Sequence, residues 1–242
     1  MRVRQANNWA RWIMFWFVFS CGLQLYATPS SPVQAPTHMQ VEIRQHSSGS
    51  AMDDIERTST NIRAFLWINT HHSPPLDAFF LYFHYLGSGW ILIPILLIIL
   101  LKRRELAIPL VIAVIMETLI VMVLKERFQQ PRPVLVLGPR ETHLLISLYG
   151  DSFPSGDAAM AFALAGVMSW YSRRGYKILW ILYAIIISYG RVYLGVHFPL
   201  DVVTGALIGM FCAVLATRAV RKRMLFLQAQ GGDATFPWHG SV

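Results

Sequence analysis

The sequence predicts an all-α polytopic membrane protein, a helical bundle with six transmembrane helices and one short interfacial helix. Of its 242 residues, 55% are hydrophobic and only 14% are charged, whereas soluble domains carry about 25% charged residues. The apolar residues fall in long runs, as in helices that cross a bilayer. The two cysteines lie far apart inside such runs, which excludes a disulfide framework and a paired-cysteine metal site.

The first part of the chain predicts a membrane helix, an outer loop and an interfacial helix. The apolar run at 9–27 follows Arg2 and Arg4 and fits a retained helix or a signal peptide. It lacks a clean cleavage motif, which favours a retained helix. Residues 28–60 are polar and rich in Ser, Thr and Pro, and they predict a loosely ordered loop. In 61–76, apolar residues recur at helical spacing, which predicts a short helix in the interface.

Five more apolar runs, within a membrane domain at 61–223, predict spanning helices. They cover residues 78–101, 106–124, 153–171, 178–190 and 201–217. Lys and Arg gather before the first run of the chain and in the segments 102–104, 173–177 and 218–223. Alternation of six spans puts all these cations on one side, as the positive-inside rule requires of the cytoplasm. Both termini, including a tail at 224–242, are then cytoplasmic. The expected location is a bacterial inner membrane.

Three polar clusters fall on the opposite, outer side, at the ends of the last four helices. They are KERFQQPRP at 125–133, FPSGD at 153–157 and GRVYLGVHFPLD at 190–201. Cations at an outer membrane edge run against the usual charge bias, although snorkelling side chains also place them there. Because all four helix ends reach the same layer, we expect the three clusters to form one site facing the periplasm or the cell exterior.

The residue types in these clusters indicate chemistry on a phosphate. Fixed positive charge comes from Lys125, Arg132 and Arg191. Ser155 and Gly156 begin a helix, whose first N–H groups bind anions. His197 precedes Asp201 by four residues, so the carboxylate can orient the imidazole as a nucleophile or base. The same cations would repel a divalent ion, so a metal is not expected at the site.

These residues resemble the signature of the type-2 phosphatidic acid phosphatase superfamily, over roughly residues 61–220. The matching motifs are Lys125-x6-Arg132-Pro133, Pro154-Ser155-Gly156-Asp157 and Arg191-x5-His197-x3-Asp201. The resemblance implies a six-helix bundle with the site near the outer surface and no cofactor. It also implies that His197 is the nucleophile, forming a phosphohistidine, and that Asp201 orients it. The phosphoryl oxygens would be held by Lys125, Arg132, Ser155, Gly156 and Arg191.

Asp157 departs from the family pattern, because a histidine that protonates the leaving group is usual there. An ordinary carboxyl group is deprotonated at neutral pH and is a poor acid. Three interpretations remain open for this catalytic position. Asp157 organises hydrogen bonds while water supplies the proton, or burial makes it a working acid, or the activity is impaired or altered. His143, in the outer loop, is a candidate substitute for the missing imidazole. Gly190 is a smaller departure, since the third motif usually begins with Ser.

The leading functional hypothesis is an integral-membrane hydrolase that removes phosphate from a lipid phosphate or lipid diphosphate. Candidate substrates are phosphatidic acid, phosphatidylglycerol phosphate, a polyprenyl diphosphate and lipid A. A lipid-to-lipid phosphotransferase shares the first half-reaction and stays open. So does a non-catalytic phospholipid-binding or transport protein, because Asp157 replaces the usual acid. The expected partners are the bilayer and a lipid phosphate, with no nucleic acid. Glu117, in the middle of a span, is interpreted as a structural hydrogen-bonding group.

Overall fold

The computed structural model describes residues 59–87, 89–102, 104–146 and 150–230, and these form helices and loops without a strand. The helices are α1 (Ser59–Asn69), α2 (Pro74–Phe83), α3 (Leu92–Lys102), α4 (Arg104–Phe128), α5 (Pro133–Leu137), α6 (Gly156–Trp170), α7 (Arg174–Tyr193) and α8 (Pro199–Ala229). Two 3₁₀ turns, His84–Gly87 and Gly89–Ile91, lie between α2 and α3. The all-α class is confirmed for these residues. The predicted first span, at 9–27, and most of the predicted outer loop and tail lie outside them.

Among the described residues, two helical segments, Leu106–Leu137 and Pro199–Ala229, are long and apolar enough to cross a membrane. Their most apolar stretches have mean hydropathies of 2.7 and 2.0, and a third span results if the bent pair α2 and α3 counts as one. α6 has 15 residues, or about 22 Å of helix, which is short of the roughly 30 Å hydrocarbon layer. The prediction of six spans is therefore not confirmed by the described residues and stays a prediction.

The surface of the bundle carries large apolar side chains, as a surrounding lipid requires. Leu207 and Phe211 of α8 are 67% and 57% exposed, and Val123 of α4 is 64% exposed. Leu101 of α3 and Ile178 of α7 are exposed to a similar degree. The core of the bundle combines alanines, such as Ala163, with larger apolar residues, such as Leu110 and Leu164.

The predicted span at 78–101 is bent in the structure and is divided between two helices, so it stays a prediction. α2 ends at Phe83 and α3 begins at Leu92, with a bend of 52° between the two helical segments. A Cβ on Gly87 would lie 2.5 Å from Cγ2 of Ile187 in α7. Glycine lets the chain approach α7 closely here, and it also lowers the helix propensity of the segment.

The predicted helix at 61–76 exists but ends earlier. α1 stops at Asn69, and Pro74 begins α2 after a short connection. Proline suits the first turn of a helix because its missing N–H has no partner there anyway. The adjacent Pro74 and Pro75 therefore mark a new start, where helical spacing alone predicted continuation. At the other end of the chain, α8 runs to Ala229, past the predicted boundary at 223.

α6 is the central helix of the bundle and packs against α4, α7 and α8. Its buried residues are mostly alanines: Ala158, Ala159, Ala161, Ala163 and Ala165. On α8, a Cβ at Gly205 would lie 2.3 Å from the carbonyl oxygen of Ser155, and one at Gly209 would lie 1.9 Å from that of Ala159. The two backbones therefore touch, as in small-xxx-small pairs of membrane helices. This contact brings the first turn of α6 against the first turns of α8.

We expect Gly209→Val to unfold the bundle at lower temperature than the wild type. The new side chain collides with α6 backbone, which cannot move aside as a flexible side chain could. We expect the free energy of unfolding to fall by about 3 kcal/mol, the upper end for overpacked cores, which would lower Tm by about 10 °C. Gly175→Ala is the matched control, because no atom lies within 4 Å of a Cβ there. Thermal unfolding in detergent measures both, and equal Tm values would contradict the α6–α8 backbone contact.

Candidate active site

A buried imidazole and a buried carboxylate form the centre of the site. His197 lies in the turn between α7 and α8 and is 3% exposed, while Asp201, in the first turn of α8, is 0% exposed. Nδ1 of His197 is 3.4 Å from Oδ2 of Asp201. The same oxygen accepts a hydrogen bond from the backbone N–H of Phe198 at 2.9 Å. With Nδ1 facing the carboxylate, Nε2 is the ring nitrogen left for a substrate.

Ser152 completes this arrangement, and sequence reasoning missed it. Its hydroxyl donates to Oδ2 of Asp201 at 2.5 Å and lies 3.3 Å from Nδ1 of His197. Its backbone N–H donates to the carbonyl oxygen of Gln130 at 2.8 Å, and its side chain is fully buried. The available signal was its place in the sequence, a polar residue directly before the FPSGD cluster. No residue near Ser152 in the sequence indicated a hydrogen-bond partner, and its contacts with His197 and Asp201 become visible only in the fold.

Two of the predicted phosphate-binding cations are held by backbone carbonyl groups. Arg132 donates from Nε to Gly150 at 3.0 Å and from Nη1 to Val196 at 2.9 Å. Nζ of Lys125 donates to the carbonyl oxygen of Asp151. A carbonyl satisfies an N–H donor without neutralising its charge. These bonds therefore fix both side chains beside the His197 turn and leave their positive field in place.

The third cation, Arg191, is paired with the unusual carboxylate. Nη2 of Arg191 lies 2.7 Å from Oδ2 of Asp157, which joins the last turn of α7 to the first turn of α6. Arg191 is 2% exposed. A phosphate that binds Arg191 must therefore share it with Asp157 or displace the carboxylate. Of the three interpretations of Asp157, this geometry favours the organiser of hydrogen bonds.

The start of α6 lies beside Asp201, as the predicted anion site requires. The N–H of Ser155 donates to the carbonyl oxygen of Asp201 at 3.0 Å, and its Oγ caps the helix by accepting from the N–H of Ala158 at 3.5 Å. At Gly156, the nearest atom to an added Cβ is Cγ1 of Val121 at 3.7 Å. Packing within the chain therefore does not require glycine there, whereas an anion approaching the backbone would. Phosphate binding by Ser155 and Gly156 stays a prediction.

The pKa of His197 shows that the three cations act on the same imidazole. Burial first, and then Arg132, Arg191 and Lys125, hold this pKa well below its ordinary value. Both causes disfavour the protonated ring. His197 is therefore neutral at physiological pH, which is the state that a nucleophile needs.

The remaining sequence candidates lie apart from this centre. His143 is exposed and contacts His72 and Asn69, which gives it no place beside Asp157. Glu117 is buried in α4 and accepts a hydrogen bond from Oγ1 of Thr118 at 3.1 Å, in agreement with a structural role. Among the described residues, one group of three potential metal ligands occurs, and neither His197 nor the site carboxylates belong to it.

Comparisons with known proteins identify relatives of this chain. The family model of the PAP2 superfamily matches residues 106–225. The undecaprenyl-diphosphatase of Sulfolobus acidocaldarius is 33% identical over 161 residues, which cover 65% of this chain and 77% of that protein. The lipid A 4'-phosphatase of Bacteroides thetaiotaomicron is 44% identical over 63 residues, 26% of this chain and 28% of that protein. The crystal structure of Aquifex aeolicus LpxE superposes with a TM-score of 0.66 at 45% identity, covering 68% of this chain and 98% of that one.

We expect Ser152→Ala to lower kcat by about 10- to 100-fold while KM changes little. Asp201 loses a buried donor, which typically costs 1–3 kcal/mol, and the imidazole loses part of its fixed orientation. Ser172→Ala is the control, since Ser172 donates to Met168 at the other end of α6. Steady-state kinetics and Tm measured together separate a loss of orientation from a loss of fold. Activity of Ser152→Ala within twofold of the wild type would contradict the role.

Proposed function

The chain belongs to the PAP2 superfamily, and we propose that it is a membrane phosphatase that removes phosphate from a lipid phosphate or diphosphate through a phosphohistidine. The membership confirms the resemblance that the three motifs predicted. The protein is an integral membrane protein, as its apolar helices and its membrane relatives indicate. One observation carries the proposal. His197 is buried and lies against Asp201, at the end of the bundle that also carries Lys125, Arg132 and Arg191.

In the first step, Nε2 of His197 attacks the phosphorus atom in line with the leaving oxygen. A P–N bond forms, the P–O bond to the lipid breaks, and the lipid oxygen takes a proton from water. The cations stabilise the charge on the three equatorial oxygens, which is the main task in phosphoryl transfer. The first N–H groups of α6 add donors for the same oxygens. Asp201 stabilises the positive charge on the imidazole as the bond forms.

In the second step, water attacks the phosphorus, the P–N bond breaks, and inorganic phosphate leaves. Nε2 of His197 is again neutral, so the cycle closes without a metal or an external cofactor. A lipid hydroxyl in place of this water would make the protein a phosphotransferase. Names of similar proteins, undecaprenyl-diphosphatase and lipid A 4'-phosphatase, favour hydrolysis of a lipid phosphate.

Release of inorganic phosphate tests the proposal directly. The purified chain in detergent is offered phosphatidic acid, phosphatidylglycerol phosphate, undecaprenyl diphosphate and lipid A. We expect release from at least one of them, and a loss of at least 100-fold in His197→Ala, as removal of a catalytic histidine typically causes. His71→Ala is the control, because this histidine is exposed and its ring contacts Trp67 of α1.

The same assay distinguishes the alternatives. Transfer of labelled phosphate to a second lipid without release would indicate a phosphotransferase. Binding of the lipids without transfer or release would indicate a non-catalytic protein. A chelator should leave the rate of His143→Ala within about twofold, because no step passes through a metal and this variant lacks the group of three potential metal ligands found among the described residues. A larger loss would refute the metal-independent mechanism.

The Asp157–Arg191 pair predicts a preference for diphosphates. A monoester expels an alkoxide, which needs a proton, whereas a diphosphate expels a phosphate that is stable as an anion. Without a good general acid, the rate of monoester hydrolysis should fall more than the rate of diphosphate hydrolysis, because acid catalysis is typically worth 10²–10⁴-fold. We expect kcat/KM to be higher for undecaprenyl diphosphate than for phosphatidic acid in the wild type.

Two variants isolate the missing acid from the ion pair. Asp157→Asn releases Arg191 without supplying an acid, whereas Asp157→His releases it and supplies one. The ratio of monoester to diphosphate kcat/KM should therefore be at least about tenfold higher in Asp157→His than in Asp157→Asn. If the wild type prefers phosphatidic acid and Asp157→Asn is inactive on it, then Asp157 is itself the acid and the ranking is wrong.

The distribution of charge supports a site on the outer face. The C-terminal ends of α4 and α7 and the N-terminal ends of α6 and α8 carry the site together, while the basic segments 173–177 and 218–223 lie at the other ends of these helices. An impermeant thiol reagent should therefore label Arg140→Cys but not Gly175→Cys in intact cells. Both positions are exposed, and the background lacks Cys21 and Cys212. The reverse labelling would place the site on the cytoplasmic side.

A further inference from the structure

A cluster of metal-binding residue types lies outside the phosphatase site. His72, Asp77 and His143 each offer one ligand atom, and these atoms all lie within 4.8 Å of one another. Nδ1 of His72 is 2.9 Å from Oδ1 of Asp77, and the rings of His72 and His143 have centroids 3.7 Å apart. The three residues come from the α1–α2 connection, the first turn of α2 and the loop before α6. Only the fold brings them together.

We propose that the His72–Asp77–His143 cluster binds a divalent transition metal of the Zn²⁺ class. Two imidazoles and a carboxylate are a known ligand set for this ion, with bonds of about 2.0–2.2 Å. Ligand atoms in such a tetrahedral site are about 3.4 Å apart. The His72–Asp77 distance is already near this value. The ring of His143 is exposed, so it can rotate until its ligand nitrogen reaches bonding distance of the metal. A water molecule would be the fourth ligand.

The surrounding groups hold the ligands in place, as they do in metal sites. The hydroxyl of Tyr193 donates to Oδ1 of Asp77 at 2.5 Å. Asn69 accepts from the N–H of His143 at 2.8 Å and donates to its carbonyl oxygen at 3.0 Å. Nε2 of His72 is buried and has no hydrogen-bond partner among the described residues. With Nδ1 of His72 as the ligand beside Oδ1 of Asp77, Nε2 would carry the proton of the neutral ring.

Hydrogen bonds alone are the competing explanation for the cluster. They account for the His72–Asp77–Tyr193 contacts, but they do not explain why the exposed ring of His143 packs against His72 at a centroid distance of 3.7 Å. Protonation of both rings would place two positive charges in contact. A metal satisfies both imidazoles in their neutral form and keeps them close.

A metal here would brace the segment that carries the nucleophile without touching it. Nδ2 of Asn69 also donates to the carbonyl oxygen of Tyr193 at 3.0 Å, and Leu145 donates to Leu194 at 3.3 Å. A Cβ on Gly195 would lie 2.7 Å from the carbonyl oxygen of His143. The loop before α6 thus lies directly on the turn before His197. The site we infer is structural, and it does not depend on the proposed phosphatase activity.

Binding of Co²⁺ and Zn²⁺ to the full chain tests the inference. The protein is purified in detergent without a histidine tag and stripped with a chelator. Co²⁺ is then titrated, and the visible absorption of its tetrahedral complexes is followed. We expect one equivalent per chain, displacement by Zn²⁺, and a Zn²⁺-dependent rise in Tm, since a ligand that binds only the folded state stabilises it.

Variants decide whether this cluster is the site. His143→Ala, at an exposed position, should weaken Co²⁺ binding by at least tenfold and abolish the rise in Tm. His72→Ala should do the same, whereas the neighbouring His71→Ala should bind as the wild type does. The inference is overturned if Co²⁺ gives no tetrahedral absorption. It is equally overturned if His143→Ala binds with wild-type affinity, because His38, His46 or His239, outside the described residues, would then hold the metal.

Discussion

The site depends on the buried carboxylate of Asp201. One of its oxygens accepts from the N–H of Phe198 and the hydroxyl of Ser152, and it lies against Nδ1 of His197. Its backbone carbonyl holds the N–H of Ser155 at the start of α6. A single residue thus fixes the position of His197, the start of α8 and the first turn of α6. Burying a carboxylate this deeply costs free energy unless several donors surround it. Loss of one of these contacts would therefore weaken the others.

The packing of α6 against α8 makes this possible. Gly205 and Gly209 let the backbones touch, which places the first turns of the two helices side by side. In a bilayer, such contacts rely on close packing and on hydrogen bonds, because lipid tails give no hydrophobic force between helices. The alanines of α6 serve the same packing. The site is therefore built on rigid helix ends, while the loops before α6 and α8 supply Ser152 and His197.

The three cations near His197 have two different kinds of partner. Lys125 and Arg132 are bound by carbonyl groups, so their donors are satisfied while their charge remains for an anion. Arg191 is instead opposed by the carboxylate of Asp157. Under the proposed function, Asp157 would therefore affect more than proton transfer, because it would also compete with the substrate phosphate for Arg191.

The sequence by itself determined the helical class and the family, and it predicted the candidate site residues other than Ser152. Those features depend on local patterns, such as apolar runs, the spacing of His197 and Asp201 on one turn, and the order of the motifs. Tertiary structure decided the rest, because it depends on partners far apart in the chain. Ser152 is held by a hydrogen bond to Asp201, and Arg191 is held by an ion pair with Asp157. Gly87, where the chain bends, lies in close contact with Ile187 of α7. The cluster of His72, Asp77 and His143 likewise has no pattern in the sequence, since three segments that pack on α7 bring its ligands together.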